Sequence, residues 1–236
     1  MKKDEVCALI QKTGILPAIR VSSNADAHFA AEAVTRGGIP IVEITMTVPN
    51  AVELIDHLVR HHPKIVVGAG TILDVEMAAK CLNAGATFLT SPALDLEIVQ
   101  FAIQENVAIL PGAMTPTEVV AAWKAGADFV KVFPCEQVGG EKYIRALSAA
   151  LPHIPLIAAG GVNQQTAAGF IMSGAIAIGI GKELIPPDAI ELRKSERIEE
   201  LAFRFLGLVQ EGRADLAARK KRASTRKDVG TEQCKA

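Results

Sequence analysis

Aromatic side chains are scarce in this sequence. They make up 4% of its 236 residues, although half of all residues are hydrophobic. The core must therefore be built from Val, Ile, Leu and Ala, a composition that suits buried parallel strands covered by helices. The length allows one large domain or two small ones.

Paired cysteines and a strong net charge are also missing. The four cysteines have neither paired nor metal-type spacing, which argues against a disulfide framework and fits a reducing compartment. A net charge of −1 gives the molecule as a whole no attraction for nucleic acid or for an anionic membrane. We therefore expect a cytoplasmic protein.

Long apolar segments and metal-binding motifs are absent as well. We expect no signal peptide, and no stretch reaches membrane-spanning length without a charge or a Gly/Pro interruption. The sequence has no His-x-His motif, His28, His57 and His153 form no recognisable triad, and His61-His62 is expected to be a solvated helix end. The sequence therefore predicts neither a metal site nor a cofactor.

What the sequence does contain is a recurring unit, in which a β-branched apolar run leads through a Gly, Pro, Thr or Ser cluster into an amphipathic stretch. Eight such runs predict strands at Ile15–Val21, Ile39–Met46, Ile65–Gly70, Thr87–Ser91, Ala108–Gly112, Phe129–Phe133, Pro155–Ala159 and Ala175–Gly179. Eight βα units predict a (β/α)8 barrel of the α/β class. A doubly wound open sheet is the competing architecture, but no Gly-x-Gly-x-x-Gly follows the first strand.

Both ends of the chain lie outside this repeat. A helix over about Lys3 to Lys12 is predicted to close the bottom of the barrel, and residues 1–211 are predicted to form a single domain. Residues 212–236 lack apolar periodicity and carry the cluster Arg219–Arg222, so we expect a helix end followed by a mostly disordered polar tail. Nucleic-acid binding by the cluster is the alternative to a solvated tail.

Two charged residues, Glu43 and Lys131, lie in the middle of predicted strands, among apolar neighbours. Burial of Lys131 favours the neutral amine, which is a nucleophile for a ketone and suggests Schiff-base chemistry. Strand alternation puts Glu43 on one face with Thr45, which we expect to contact the substrate. If that face and the Lys131 face both point inward, carboxylate and amine share a pocket. The alternatives are a lysine whose ammonium reaches the rim and a purely structural ion pair.

Glycine-rich turns follow several strands, at the end of a barrel where function collects. Gly160-Gly161 and Gly179-Ile180-Gly181-Lys182 offer backbone N–H groups for a phosphate, and Gly68–Thr71 could hold a substrate carboxylate. The alternative for each is a tight turn that binds nothing.

Six segments, in order along the chain, resemble the class I 2-keto-3-deoxy-6-phosphogluconate aldolase family, which includes 4-hydroxy-2-oxoglutarate aldolase activity. They are Val42–Thr45, Gly68–Thr71, Ser91-Pro92, Pro111–Glu118, Lys131–Pro134 and Gly160–Val162. The resemblance implies a (β/α)8 homotrimer that uses no metal or cofactor. It implies that Lys131 forms the Schiff base, that Glu43 is the acid/base, that Thr71 contacts the pyruvate portion and that Pro92 and Phe133 line its pocket.

Three positions depart from the family pattern. Thr47 stands where many members have an Arg for the substrate carboxylate, and we assign that role to Arg20 at the end of the first strand. Ala159 replaces a Thr before the Gly-Gly pair, and Lys182 replaces a Ser after the last Gly-x-Gly. These two changes remove hydroxyl groups near the phosphate end, where Lys182 could supply a charge instead.

The function implied is reversible cleavage of a 2-keto-3-deoxy sugar acid to pyruvate and an aldehyde. The expected substrates are 2-keto-3-deoxy-6-phosphogluconate and 4-hydroxy-2-oxoglutarate, which give glyceraldehyde 3-phosphate and glyoxylate. Two alternatives stay open: a phosphate-binding isomerase or epimerase without a covalent intermediate, and a barrel that binds a ligand without turnover.

Overall fold

The computed structural model describes residues 1–233, with side chains up to residue 219 and that of Lys221. Within this part the strands are β1 (Ile15–Ile19), β2 (Ile41–Thr45), β3 (Val66–Gly70), β4 (Phe88–Thr90), β5 (Ala108–Leu110), β6 (Gly112–Ala113), β7 (Val130–Val132), β8 (Leu156–Ala159) and β9 (Ala177–Ile180). The helices are α1 (Lys3–Thr13), α2 (Asn24–Arg36), α3 (Ala51–His61), α4 (Val75–Asn83), α5 (Leu96–Gln104), α6 (Pro116–Lys124), α7 (Gly140–Ala150), α8 (Ala167–Met172), α9 (Pro187–Glu191) and α10 (Ser195–Gln233).

The strands form one parallel sheet in the order β5-β4-β3-β2-β1-β9-β8-β7-β6. Its two end strands are consecutive in the chain and are separated only by Pro111, so the sheet closes on itself there. The N–H of Ser91 donates to Leu110 on one side of this break, and the N–H of Lys131 donates to Pro111 on the other. Since proline has no N–H to donate, the ladder is interrupted at this residue.

The predicted eight-stranded barrel is therefore confirmed, with the predicted strand Ala108–Gly112 present as β5 and β6. Its interior is filled by Val, Ile, Leu and Ala, with a few large rings such as Phe88, which is fully buried. Gly68 accommodates this ring, because a Cβ at Gly68 would overlap it. Four joints between a helix and the next strand contain a glycine with positive φ: 97° at Gly38, 96° at Gly85, 98° at Gly126 and 111° at Gly174.

The leading helix closes the end of the barrel where the strands begin. Val6 and Ile10 of α1 are fully buried, and Lys3 forms a 2.9 Å ion pair with Asp128, just before β7. The second carboxylate oxygen of Asp128 accepts a hydrogen bond from the N–H of Ile109. This end of the barrel is therefore sealed by packing and by charge, as the sequence predicts.

The last helix, α10, packs on α8 and α2. Just beyond residue 211 it still contacts the barrel: Gly212 is buried, and Arg213 donates hydrogen bonds to the carbonyls of Lys12 (2.8 Å) and Ile176 (3.3 Å). The helix continues to Gln233 through good helix formers such as Ala, Arg and Lys. Disorder of the polar tail stays a prediction, and residues 234–236 lie outside the described part.

No helix among the described residues is long and apolar enough to cross a membrane.

Candidate active site

A pocket of about 650 Å³ opens at the carboxyl ends of the barrel strands. Ten of the eleven predicted site residues line it: Arg20, Glu43, Thr71, Pro92, Lys131, Phe133, Gly160, Gly161, Gly181 and Lys182. The exception is Thr45. Residues far apart in the sequence meet here because all the strands of the barrel run in the same direction.

Lys131 and Glu43 reach toward each other across the inside of the barrel. They belong to β7 and β2, and three strands lie between these along the sheet. Lys131 Nζ is 3.5 Å from Glu43 Oε2 and also 3.5 Å from Thr90 Oγ1. The Glu43 side chain is 2% exposed and that of Lys131 is 12% exposed. An amine therefore lies at the bottom of a pocket with one carboxylate and one hydroxyl as its polar neighbours.

Gly70 creates the space that the Glu43 carboxylate occupies. The two residues belong to adjacent strands, where Thr45 pairs with Gly70 two positions beyond Glu43. A Cβ at Gly70 would overlap Oε1 of Glu43, so any larger residue would displace the carboxylate. Glycine at this position is thus a steric requirement of the site.

Thr71, which follows β3, lines the same pocket in a strained backbone conformation. Its φ is +62°, in the left-handed region that β-branched residues seldom adopt. Such a residue costs on the order of 1–3 kcal/mol and persists only where its surroundings hold it in place. The next N–H, that of Ile72, donates to the carbonyl of Thr90, which ties this turn to β4.

Pro92 and Phe133 form an apolar wall beside the amine. Lys131 Nζ lies 5.8 Å from the centroid of the Phe133 ring. Pro92 comes close to β6 because Gly112 has no side chain; a Cβ there would overlap the Pro92 carbonyl. Pro92 and Phe133 therefore give the amine an apolar neighbourhood on one side of the pocket.

Thr45 does not line the pocket, although it lies on the same strand as Glu43. It is fully buried, and its hydroxyl donates to the carbonyl of Ile19 at 2.9 Å and lies 2.7 Å from Thr47 Oγ1. A buried hydroxyl without a partner is costly, so Thr45 hydrogen bonds to the end of β1. The Thr45 hydroxyl is thus held by Ile19 and Thr47, and the predicted contact of Thr45 with substrate stays a prediction.

The outer half of the pocket contains Asn163, which follows the Gly160–Val162 segment, and three residues that the sequence did not single out: Glu136, Gln137 and Glu183. Gly160 and Gly161 have φ values of 84° and 85°, and the Glu136 side chain packs directly against Gly161. The N–H of Glu136 is already used, since it donates to the carbonyl of Gly160 at 3.1 Å. Two carboxylates therefore stand close to the amides and the lysine predicted to bind an anion.

A second group of polar residues comes together outside the pocket. His28, His57 and His62 gather between α2 and α3, with their nearest ring nitrogens within 4.8 Å of one another. The sequence had not grouped these three, because the expectation for His62 was a solvated helix end.

Comparison with known proteins gives a family for this arrangement. The family model described as "KDPG and KHG aldolase" matches residues 6–201. The chain belongs to this family. It is 29% identical over 201 residues to the 2-dehydro-3-deoxy-phosphogluconate aldolase of Pseudomonas aeruginosa, covering 85% of this chain and 91% of that one. It is 30% identical over 189 residues to the KHG/KDPG aldolase of Escherichia coli K12, covering 80% and 88%.

Solved structures of the family have the same fold. The aldolase of Zymomonas mobilis ZM4, determined with 3-phosphoglycerate, superposes with a TM-score of 0.78 at 26% identity, covering 87% of this chain and 97% of that chain. The enzyme from Legionella pneumophila, in which pyruvate was captured as a covalent carbinolamine, gives the same TM-score at 26% identity, covering 84% and 96%.

Proposed function

We propose that this protein is a class I aldolase, a lyase that reversibly cleaves a 2-keto-3-deoxy acid into pyruvate and an aldehyde. The observation that carries the proposal is the Lys131–Glu43 pair, 3.5 Å apart at the bottom of the pocket. Membership of the KDPG and KHG aldolase family supports the same reaction. No metal or organic cofactor is required in this proposal, because the protonated imine is itself the electron sink.

The reaction begins with attack of the neutral Lys131 amine on the C2 ketone, which forms a carbinolamine. Loss of water gives a protonated imine. The C4 hydroxyl then loses its proton, the C3–C4 bond breaks, and its electron pair moves into the imine as the aldehyde leaves. The resulting enamine takes a proton at C3, and hydrolysis releases pyruvate and returns the free amine.

Glu43 is proposed to move the protons in these steps, through a water molecule. Its carboxylate lies beside the amine, where it can accept the proton of the C4 hydroxyl and supply one during dehydration. Its side chain is 2% exposed, which limits competing contacts with bulk water. A structural ion pair would share this geometry but would leave turnover unchanged when the carboxylate is neutralised.

Other pocket residues are proposed to position the substrate. Arg20, directly after β1, would bind the carboxylate of the 2-keto acid through its planar fork. Thr71, Pro92 and Phe133 would hold the three-carbon pyruvate portion against the amine.

The preferred substrates are proposed to be 2-keto-3-deoxy-6-phosphogluconate and 4-hydroxy-2-oxoglutarate, as in the relatives. Amides of the loops containing Gly160, Gly161 and Gly181 would bind the distal anion, with Lys182 adding a charge. Glu136 and Glu183 oppose this attraction. We therefore expect a smaller advantage for a phosphate group than a purely cationic site would give.

Reductive trapping tests the central step. Incubation with pyruvate and borohydride, followed by peptide mapping, is expected to place a stable adduct on Lys131. The variant Lys182→Ala is the matched control and should be trapped like the wild type. An adduct on Lys182 or Lys64, or a protein that forms none, would overturn the assignment; an isomerase or epimerase of the same fold would form no adduct.

We further propose a homotrimer located in the cytoplasm. The trimer is supported by resemblance to the family, and the location by the three described cysteines, Cys7, Cys81 and Cys135, which are all free thiols. Sedimentation velocity at micromolar concentration is expected to give a trimer. A stable monomer at that concentration contradicts the proposal.

A further inference from the structure

The group of histidines between α2 and α3 has the composition of a metal site. His28 lies on α2, His57 lies on α3 and His62 directly follows α3. His28 Nε2 and His62 Nε2 are only 2.9 Å apart. None of these residues lines the pocket that contains Lys131.

The carboxylate of Glu32 lies beside the Nδ1 atoms of two of these rings. Glu32 lies one turn after His28 on α2, with one oxygen 3.7 Å from His28 Nδ1 and the other 3.6 Å from His62 Nδ1. The Nδ1 atoms thus face a shared acceptor while the Nε2 atoms face each other. In metal sites, a carboxylate placed in this way fixes the ring orientation and tautomer of a ligating histidine.

We propose that His28, His57 and His62 bind one divalent metal ion of the zinc type, which links α2 to α3. Three imidazoles and a water molecule complete the tetrahedral coordination that Zn²⁺ prefers. With bonds of about 2.0–2.1 Å, neighbouring ligand atoms lie about 3.3 Å apart. The Nε2 atoms of His28 and His62 are already near this spacing. A change of rotamer would bring a ring nitrogen of the exposed His57 to the third ligand position.

His61 lies next to the cluster but is not one of its three members. Its ring stacks on His57 with centroids 4.4 Å apart, but its Nδ1 is 2.9 Å from the carbonyl of His57 and bonds there. The competing explanation for the other three is an N–H···N hydrogen bond between neutral His28 and His62, which needs no metal. The two explanations differ in whether the protein takes up metal and in which residues affect uptake.

The test is calorimetric titration of the tag-free, full-length protein with Zn²⁺, repeated with Co²⁺, whose absorption spectrum reports tetrahedral coordination. The wild type is expected to bind one ion per chain. The variant His57→Gln, which changes an exposed side chain, should bind at least about tenfold more weakly, and Glu32→Gln about 10–100-fold more weakly. His153→Gln is the matched control, because His153 lies beside Trp123 and outside the cluster.

Thermal unfolding gives a second readout. Zn²⁺ should raise the Tm of the wild type and of His153→Gln, and at the same concentration it should raise that of His57→Gln and His28→Gln less, since only an ion bound to the folded state stabilises it. Aldol cleavage should be equal with and without a chelator. Equal affinities of the wild type and His57→Gln, or a wild type that binds no ion, would overturn the proposal and leave the hydrogen-bonded pair.

Discussion

The inner and outer ends of the pocket are built in different ways. At the inner end, Lys131, Glu43 and Thr90 project from strands, and their spacing follows from the register of the barrel. At the outer end, Lys182 and Glu183 belong to a loop, and charges of both signs are present. Residues of a loop can be replaced without disturbing the core. The residues at the inner end, where the bond is broken, are therefore constrained by the barrel, whereas the residues at the outer end, which meets the aldehyde, can vary.

The largest effect should come from Lys131→Ala. Loss of the amine removes the covalent intermediate, so turnover and the borohydride adduct should both disappear. Steady-state kinetics and mass spectrometry measure this, and circular dichroism checks that the barrel persists. Residual cleavage with an adduct elsewhere would mean that the inner end does not hold the nucleophile.

Glu43→Gln should have the next largest effect. A general acid/base contributes about 10²–10⁴-fold to a rate, so kcat should fall in this range while KM changes little. The amide keeps the shape of the side chain and loses the charge. If kcat stayed at the wild-type value while the Tm dropped, Glu43 would be a structural partner of Lys131 only.

Gly70→Ala tests whether the inner end depends on packing. The added methyl group would overlap the Glu43 carboxylate, so we expect a loss of about 1–3 kcal/mol in the free energy of unfolding together with lower kcat. Denaturant unfolding and kinetics measure the two effects.

The matched control for this change is Gly207→Ala on α10, where an added Cβ meets nothing within 4 Å. Replacing a helical glycine by alanine should stabilise the protein by about 0.5–1 kcal/mol and leave kcat unchanged. Equal behaviour of the two variants would show that the space at Gly70 is not required.

The smallest effect is expected at the outer end. Glu183→Gln should raise kcat/KM for the phosphorylated substrate relative to its unphosphorylated analogue by up to about fivefold, the range of a solvent-exposed charge interaction. Lys182→Ser should lower the same ratio. Glu191→Gln, outside the pocket, is the control. If neither substitution changes the ratio, these charges lie outside the binding site.

The sequence allows the inner end to be predicted because a parallel barrel imposes strict rules. Its strands are buried on both faces, so a Lys or Glu inside one is conspicuous, and the strand ends converge by topology. The position of Thr45 outside the pocket could not be predicted, because alternation gives the face of a residue but not the partner of its hydroxyl, which here is the carbonyl of Ile19. The interruption of the strand at Pro111 follows from the missing N–H of proline. The sequence nevertheless predicted one continuous strand, Ala108–Gly112, through this residue.

Loops and helix contacts were harder to predict. Glu136 and Glu183 have no periodic pattern to mark them, and they enter the pocket only because of how two loops fold back. The histidines at positions 28, 57 and 62 come together through packing of α2 on α3, which involves no local motif. Spacing alone could not reveal either feature.

The contact that Arg213 makes with the first helix bears on where another molecule can be attached to this chain. By bonding to the carbonyl of Lys12, it joins the last helix to the first one on the side of the barrel where the strands begin. The N-terminus lies on that same side, since Lys3 pairs with Asp128 just before β7. A fusion partner or surface linker placed ahead of α1 would therefore sit on the side away from the pocket and leave the path of the substrate open.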